Sequence, residues 1–149
     1  MSITFVMGPA GVGKSTYIKD NLLSKNKNLV IVDLYTYQEN KILNQNGILQ
    51  SYYDCLEDLI KAIKDGKDVV LEHTLLKAIR REMYIKAIRE ISNEPIDIIL
   101  IKPPLETIRE RWKKREIYTS DFYIKANLDT LEIPTKEEGF NSIVVLEDY

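Results

Sequence analysis

Gly8-Pro9-Ala10-Gly11-Val12-Gly13-Lys14-Ser15 has the spacing G-x-x-x-x-G-K-[ST], which commits this part of the chain to a strand, a glycine loop and a helix in that order. Such a loop wraps an anionic phosphate in backbone N–H groups, so residues at its corners must accept positive φ and leave no side chain in the way. Ile3-Thr4-Phe5-Val6-Met7 is a short apolar run that reads as the strand, and Ser15 to Leu23 reads as the helix, with Ile18 and Leu22 one turn apart. The expected nucleotide site is therefore Gly8, Pro9, Ala10, Gly11, Val12, Gly13, Lys14, Ser15 and Thr16. Gly8 and Gly13 permit close backbone approach, Lys14 reaches the β and γ phosphates, and Ser15 ligates the metal, so ATP and Mg²⁺ are the expected cofactors. The order Gly-x-x-Gly-x-Gly, with no acidic residue closing a βαβ unit, argues against a dinucleotide.

The rest of the chain extends that unit. Leu29 to Val32, Val69 to Leu71, Ile96 to Ile101 and Ile143 to Leu146 are continuous rather than alternating apolar runs, the pattern of strands buried on both faces. Leu56, Leu59, Ile60 and Ile63 follow helical spacing, as do Tyr84, Ala87, Ile88 and Ile91, and Leu105, Ile108 and Trp112 form the inner stripe of a further helix after Pro103-Pro104. Ser51 supplies a capping-box-like start to the first of these helices and Asp65-Gly66 a stop, while Leu34 to Gln50 is polar, poorly periodic and unplaced. The expected fold is α/β: one P-loop domain over residues 1–149, a five-stranded parallel sheet with helices on both faces.

Composition excludes several chemistries. With one cysteine, Cys55, and one histidine, His73, there is no support for disulfides, a Cys/His zinc site or a Ser-His-Asp triad. No apolar run reaches the length of a membrane span and the first strand begins within three residues of Met1, so a cytoplasmic location is expected. A net charge of −2 argues against a protein that coats nucleic acid, yet permits a local basic patch.

In open α/β sheets the ligand sits at the carboxyl ends of the strands. Asp33 after the second strand and Glu72-His73-Thr74 after the third are thus candidates for accepting the proton of an attacking hydroxyl, ordering the metal shell or holding the acceptor. Arg109, Arg111, Lys113, Lys114 and Arg115 crowd the end of the Trp112 helix; Arg111 and Arg115 share a face, suited to closing over transferring phosphate as a lid of about residues 109–121. A second basic group, Lys77, Arg80, Arg81, Lys86 and Arg89, begins just past Thr74.

Gly8 to Thr16, together with Val69-Val70-Leu71-Glu72-His73-Thr74-Leu75-Leu76-Lys77-Ala78-Ile79-Arg80-Arg81, resembles the 5′-hydroxyl polynucleotide kinase family of P-loop kinases. Arg111-Trp112-Lys113-Lys114-Arg115 is similar to that family's arginine lid. Pro134 to Ile143 resembles an ending seen in related small AAA-like and zeta-toxin-like kinases. The resemblance covers nearly the whole chain and implies substrate contacts for Glu72, His73, Thr74, Arg80 and Arg81, with Lys14, Arg111 and Arg115 in catalysis. Departures are His73 at a family aspartate, Tyr35 at the family base position when Tyr37 is aligned with the family tyrosine, and Gln38 in place of an arginine. The base is therefore open among Asp33, Glu72 and His73, with Asp33 the first choice. The expected activity is transfer of the γ-phosphate of ATP to a hydroxyl, first of a 5′-hydroxyl polynucleotide or nucleotide, alternatively of a small metabolite. A nucleotide-binding regulatory module without transferase activity is the reading from another class.

Overall fold

The structure, a computed structural model, describes residues 1–34, 45–115 and 120–149. Tyr35, Tyr37, Gln38 and residues 116–119 of the expected lid lie outside the described residues. Five strands, β1 (Ile3–Met7), β2 (Val30–Asp33), β3 (Val69–Glu72), β4 (Ile96–Ile101) and β5 (Ser142–Leu146), pair in the order β2-β3-β1-β4-β5, all parallel. Because strand side chains alternate between faces, successive residues feed two separate cores. Ile3, Phe5 and Met7 of β1 and Ile96, Ile98 and Leu100 of β4 face one cluster, while Val6, Val70 and Ile101 face the other.

The first cluster is closed by α2 (Gln45–Lys64) and α3 (Ala78–Arg89), through Cys55, Leu59, Tyr84 and Ile88. The second is closed by α1 (Lys14–Tyr17) with its π-helical continuation (Ile18–Leu23), by α4 (Leu105–Lys114) and by α5 (Asp121–Thr130), through Ile18, Ile108 and Ile124. Helices thus cover both faces, as the apolar runs require. No helix among the described residues is long and apolar enough to cross a membrane.

Some sequence expectations shift. The α2 helix begins at Gln45, so Ser51 is an interior helical residue, fully buried, rather than a cap. Residues 45–50 join the helix because Gln and Leu are good helix formers and Gly47 costs only about 1 kcal/mol. Ile91 falls beyond the end of α3 and is exposed. Two-sided burial holds for β1 and β3, but the sheet-edge strands β2 and β5 leave Ile31, Val144 and Val145 exposed, since an edge strand lacks a neighbour on one side.

The turn after β3 is built with strain. Leu75 has φ +46, a left-handed conformation rare for a branched residue. Arg81 holds it: Nη1 donates to Leu75 O at 2.8 Å and Leu76 O at 3.4 Å, while Nε and Nη2 donate to the Glu138 carboxylate at 2.7 and 3.2 Å. Glu138 in turn accepts from Thr135 N at 2.8 Å. Arg81 is fully buried and its guanidinium is taken up by these partners, so the expected substrate contact through Arg81 is corrected to a structural clamp.

Arg81→Ala removes a fully buried side chain, leaves the half-buried Glu138 carboxylate without its counter-charge and frees the strained turn, so a loss of about 3 kcal/mol is expected in urea unfolding. Arg80→Ala, at the exposed neighbouring position, is expected to stay within about 0.5 kcal/mol. Equal losses from the two would contradict this division of roles.

Candidate functional site

The strand order places β1 between β3 and β4, so the chain leaves β1 toward one side and returns to the other, which opens a crevice at the carboxyl ends of the strands. There lies a cavity of about 960 Å³. Ala10, Gly11, Gly13, Lys14, Ser15 and Thr16 form its floor, and Asp33, Glu72, His73 and Thr74 one wall. Arg111 and Arg115 lie on the other side with Trp112, Lys114 and Tyr149. Gly8, Pro9 and Val12 shape the loop from behind: Val12 is in the core, and a Cβ on Gly8 would fall 2.5 Å from Ile101 O, where only glycine fits. Arg80 and Arg81 do not line the cavity.

Two backbone hydrogen bonds tie the start of the loop and the end of β1 to the turn after β3: Gly8 N donates to Thr74 O and His73 N to Val6 O. A side-chain contact completes the link, the Ser15 hydroxyl donating to Glu72 Oε1. Asp33 and Glu72 end adjacent strands in register, so two carboxylates face the loop side by side. Glu72 is buried, which pushes its pKa up; the Ser15 hydroxyl and Lys14 pull it back, and Asp33 adds to the rise. The Lys14 ammonium donates to Gly8 O and Pro9 O, each at 3.0 Å, inside the loop rather than standing exposed. Burial lowers its pKa to about 8; Glu72 and Asp33 oppose that, and the charge of Arg115 adds to it.

His73 is buried beside this pair. Leu75 N–H donates to its Nδ1 at 3.2 Å, which fixes the tautomer with the proton on Nε2, and Nε2 has no hydrogen-bond partner among the described residues. The ring stacks on Tyr52 at 5.8 Å and meets Tyr84 edge-on at 5.7 Å. Burial, then Lys14 and Arg80, lower its pKa to about 4. With Nδ1 already accepting from Leu75 and the proton on Nε2, the ring has no free lone pair to offer a hydroxyl in this arrangement.

The α4 helix closes the cavity. Arg111 donates to Val12 O and Tyr149 O and lies 5.6 Å from the Tyr149 ring, so it grips the loop's backbone instead of projecting freely. Arg115 follows one turn later, exposed at the helix end on the cavity rim. Lys77, from the second basic group, pairs with Glu132 at 3.5 Å at the surface. Sequence reasoning missed Tyr52 and Tyr149 on the walls; it placed Trp112 in the core, against which the ring does pack, but not on the cavity, for which the lone aromatic amid Arg-Trp-Lys-Lys-Arg was the available signal.

Comparison with known proteins places the chain. The profile of a family described as an AAA domain matches residues 3–132, and the protein belongs to that family. A guanylate kinase of Caldanaerobacter subterraneus subsp. tengcongensis is 25% identical over 169 aligned positions, covering 96% of this chain and 78% of the relative. Among solved structures, a sugar kinase from Janibacter sp. superposes with a TM-score of 0.66 at 22% identity, over 99% of this chain and 85% of that one. A chain of the Pnkp1/Rnl/Hen1 RNA repair complex superposes with a TM-score of 0.76 at 16% identity, over 87% of this chain but 43% of its own length. The fold is a P-loop kinase-like α/β fold.

The lowered pKa of His73 has a measurable consequence. The folded value of about 4 lies below an unfolded value near 6.5, so the neutral ring's contribution to stability is complete above pH 6.5 and is lost as pH falls toward 4. The expected loss is on the order of 3 kcal/mol across that window. Urea unfolding of wild type and His73→Gln at several pH values checks it, since the difference between the two should shrink on acidification; a constant difference would contradict the assignment.

Proposed function

We propose that this member of the AAA-domain family is an ATP-dependent phosphotransferase that moves the γ-phosphoryl group to a hydroxyl of a small acceptor. One observation carries the reading: a single cavity joins a phosphate-wrapping loop, through the Ser15–Glu72 contact, to a second carboxylate, Asp33, on the neighbouring strand. Phosphoryl transfer asks mainly for positioning and for positive charge around the moving group, and the loop amides, Lys14 and Arg115 supply the charge.

In this reading ATP lies along the loop and the acceptor sits against β2 and β3. The acceptor oxygen forms the new bond to phosphorus as the bond to the bridging oxygen of ADP breaks, and the acceptor proton passes to Asp33. Glu72 is less suited to that role because Ser15 already occupies its Oε1. A hydroxyl and a carboxylate, both hard oxygen donors at the edge of the loop, fit Mg²⁺, with Ser15 as ligand and Glu72 ordering its water shell. When bound, the ion neutralises phosphate oxygens. The end of α4 borders the phosphate site, and Arg115 is the arginine placed to meet transferring phosphate.

The acceptor side favours a small hydroxylated molecule. Asp33, Leu34, Tyr52, Glu72, His73 and Thr74 form it, without a lysine or arginine among the described residues. The 5′-hydroxyl end of a polynucleotide carries a further phosphate close by; of the two arginines expected to meet it, Arg81 is locked in its pair with Glu138 and the exposed Arg80 does not line the cavity. A polynucleotide acceptor is supported by the likeness to the RNA repair complex, which is a likeness of fold. A cytoplasmic location fits the free, buried Cys55.

The test is ADP release measured with and without pools of uncharged sugars, nucleosides, sugar acids and 5′-hydroxyl oligonucleotides. At least one pool of small hydroxyl compounds should stimulate release. Lys14→Met should abolish it. Asp33→Asn should lower kcat by on the order of a hundredfold or more with the ATP KM little changed, while Glu72→Gln should chiefly raise the Mg²⁺ requirement. Stimulation by the oligonucleotides alone would overturn the small acceptor, and full activity in Asp33→Asn would overturn the base.

A further inference from the structure

Trp112 is the chain's only tryptophan, and its helical spacing assigns it to the core face of α4. The structure packs the half-buried indole against the second core cluster, as expected, and also seats it on the phosphate loop. Its Nε1–H donates to Ala10 O at 2.9 Å, and a Cβ added to Gly11 would fall 2.1 Å from that nitrogen, so the ring lies directly over the glycine. The neighbouring residue on α4, Arg111, donates to Val12 O. The carbonyls on either side of Gly11 are therefore both turned toward α4.

That orientation fixes more than the carbonyls. In a trans peptide the C=O of one residue and the N–H of the next point in opposite directions, and the described residues contain no cis peptide. Holding Ala10 C=O against Trp112 aims Gly11 N–H away from α4, and holding Val12 C=O against Arg111 does the same for Gly13 N–H. Neither N–H has a backbone acceptor among the described residues, and both glycines line the cavity. Two open amides, aimed together and rigidly held, are what an anion requires of such a loop. Amides fixed beforehand need not be ordered when the anion arrives, so the fixing raises affinity.

We propose that Trp112 is a positioning residue that presets the anion-binding amides of the phosphate loop through its hydrogen bond to Ala10 O, with Arg111 presetting the second amide through Val12 O. The identity of the anion as the triphosphate of ATP rests on the phosphotransferase reading; the positioning itself does not. Trp112 carries no charge, so its effect on phosphate affinity acts through the loop and not through attraction to the ligand. The same arrangement separates the two arginines of α4: Arg111 acts on the loop and Arg115 faces the ligand.

Because there is one tryptophan, an auxotrophic host can replace it throughout with β-(3-benzothienyl)alanine, which keeps the ring's shape but has sulfur where the indole has N–H. Substitution with 5-fluorotryptophan, which keeps the N–H, is the control. Inorganic tripolyphosphate is the probe, titrated calorimetrically with Mg²⁺ present. The benzothienyl protein should bind it roughly five- to tenfold more weakly than wild type, the loss of one hydrogen bond, with an unchanged thermal midpoint in the absence of ligand. The fluorinated protein should bind as wild type, and Trp112→Phe should follow the benzothienyl protein. Equal binding by the benzothienyl and wild-type proteins overturns the positioning role. A weakening matched by a fall in thermal midpoint also overturns it, in favour of packing alone. No binding of tripolyphosphate by the wild type would instead contradict the phosphate-loop reading beneath the proposed function.

Discussion

The site is organised around a buried ammonium. Lys14 is drawn into its own loop, where Gly8 O and Pro9 O accept its protons and where burial pulls its pKa down to about 8. A charge in that position needs counter-charge within reach, and the fold supplies two carboxylates, Glu72 and Asp33, from strands that only the sheet order brings beside the loop. The carboxylates are in turn tolerable in a buried crevice because the ammonium and the Ser15 hydroxyl face them. Each group is held by a partner from another segment, so loop, β2 and β3 form one electrostatic unit.

Two further layers keep this unit in shape. On one side the Arg81–Glu138 pair grips the turn at Leu75, and that turn donates to His73 and is tied to Gly8 through Thr74. On the other side Trp112 and Arg111 grip Ala10 and Val12. The crevice is therefore braced largely by side chains whose polar ends are taken up by the backbone, Arg81 on one side and Trp112 with Arg111 on the other.

Much of this was legible in the sequence because it is local. The loop's spacing, the continuous apolar runs of β1, β3 and β4, and the rule that ligands lie beyond the carboxyl ends of strands were enough to single out Lys14, Ser15, Asp33 and Glu72. What was not legible depends on contacts between distant segments. Arg81 reads as a substrate contact because its partner Glu138 lies 57 residues away. The apolar runs of β2 and β5 do not announce that these strands are edges, since strand order is set by the crossovers. Ser51 reads as a helix start only while the preceding polar residues go unplaced, and the core position of Trp112 is legible while its hydrogen bond to the loop is not, because helical spacing gives a face and not everything that covers it.

A nucleotide loop at one end of the cavity and a wall of carboxylates, aromatic rings and a neutral histidine at the other describe a donor and an acceptor held together. The most direct measurement of that claim is the fate of the γ-phosphorus, followed by ³¹P NMR in a mixture of protein, Mg·ATP and uncharged hydroxyl compounds. The account predicts a phosphomonoester resonance that grows in step with ADP, with little inorganic phosphate. Inorganic phosphate as the only product, at a rate indifferent to the added hydroxyl compounds, would contradict it.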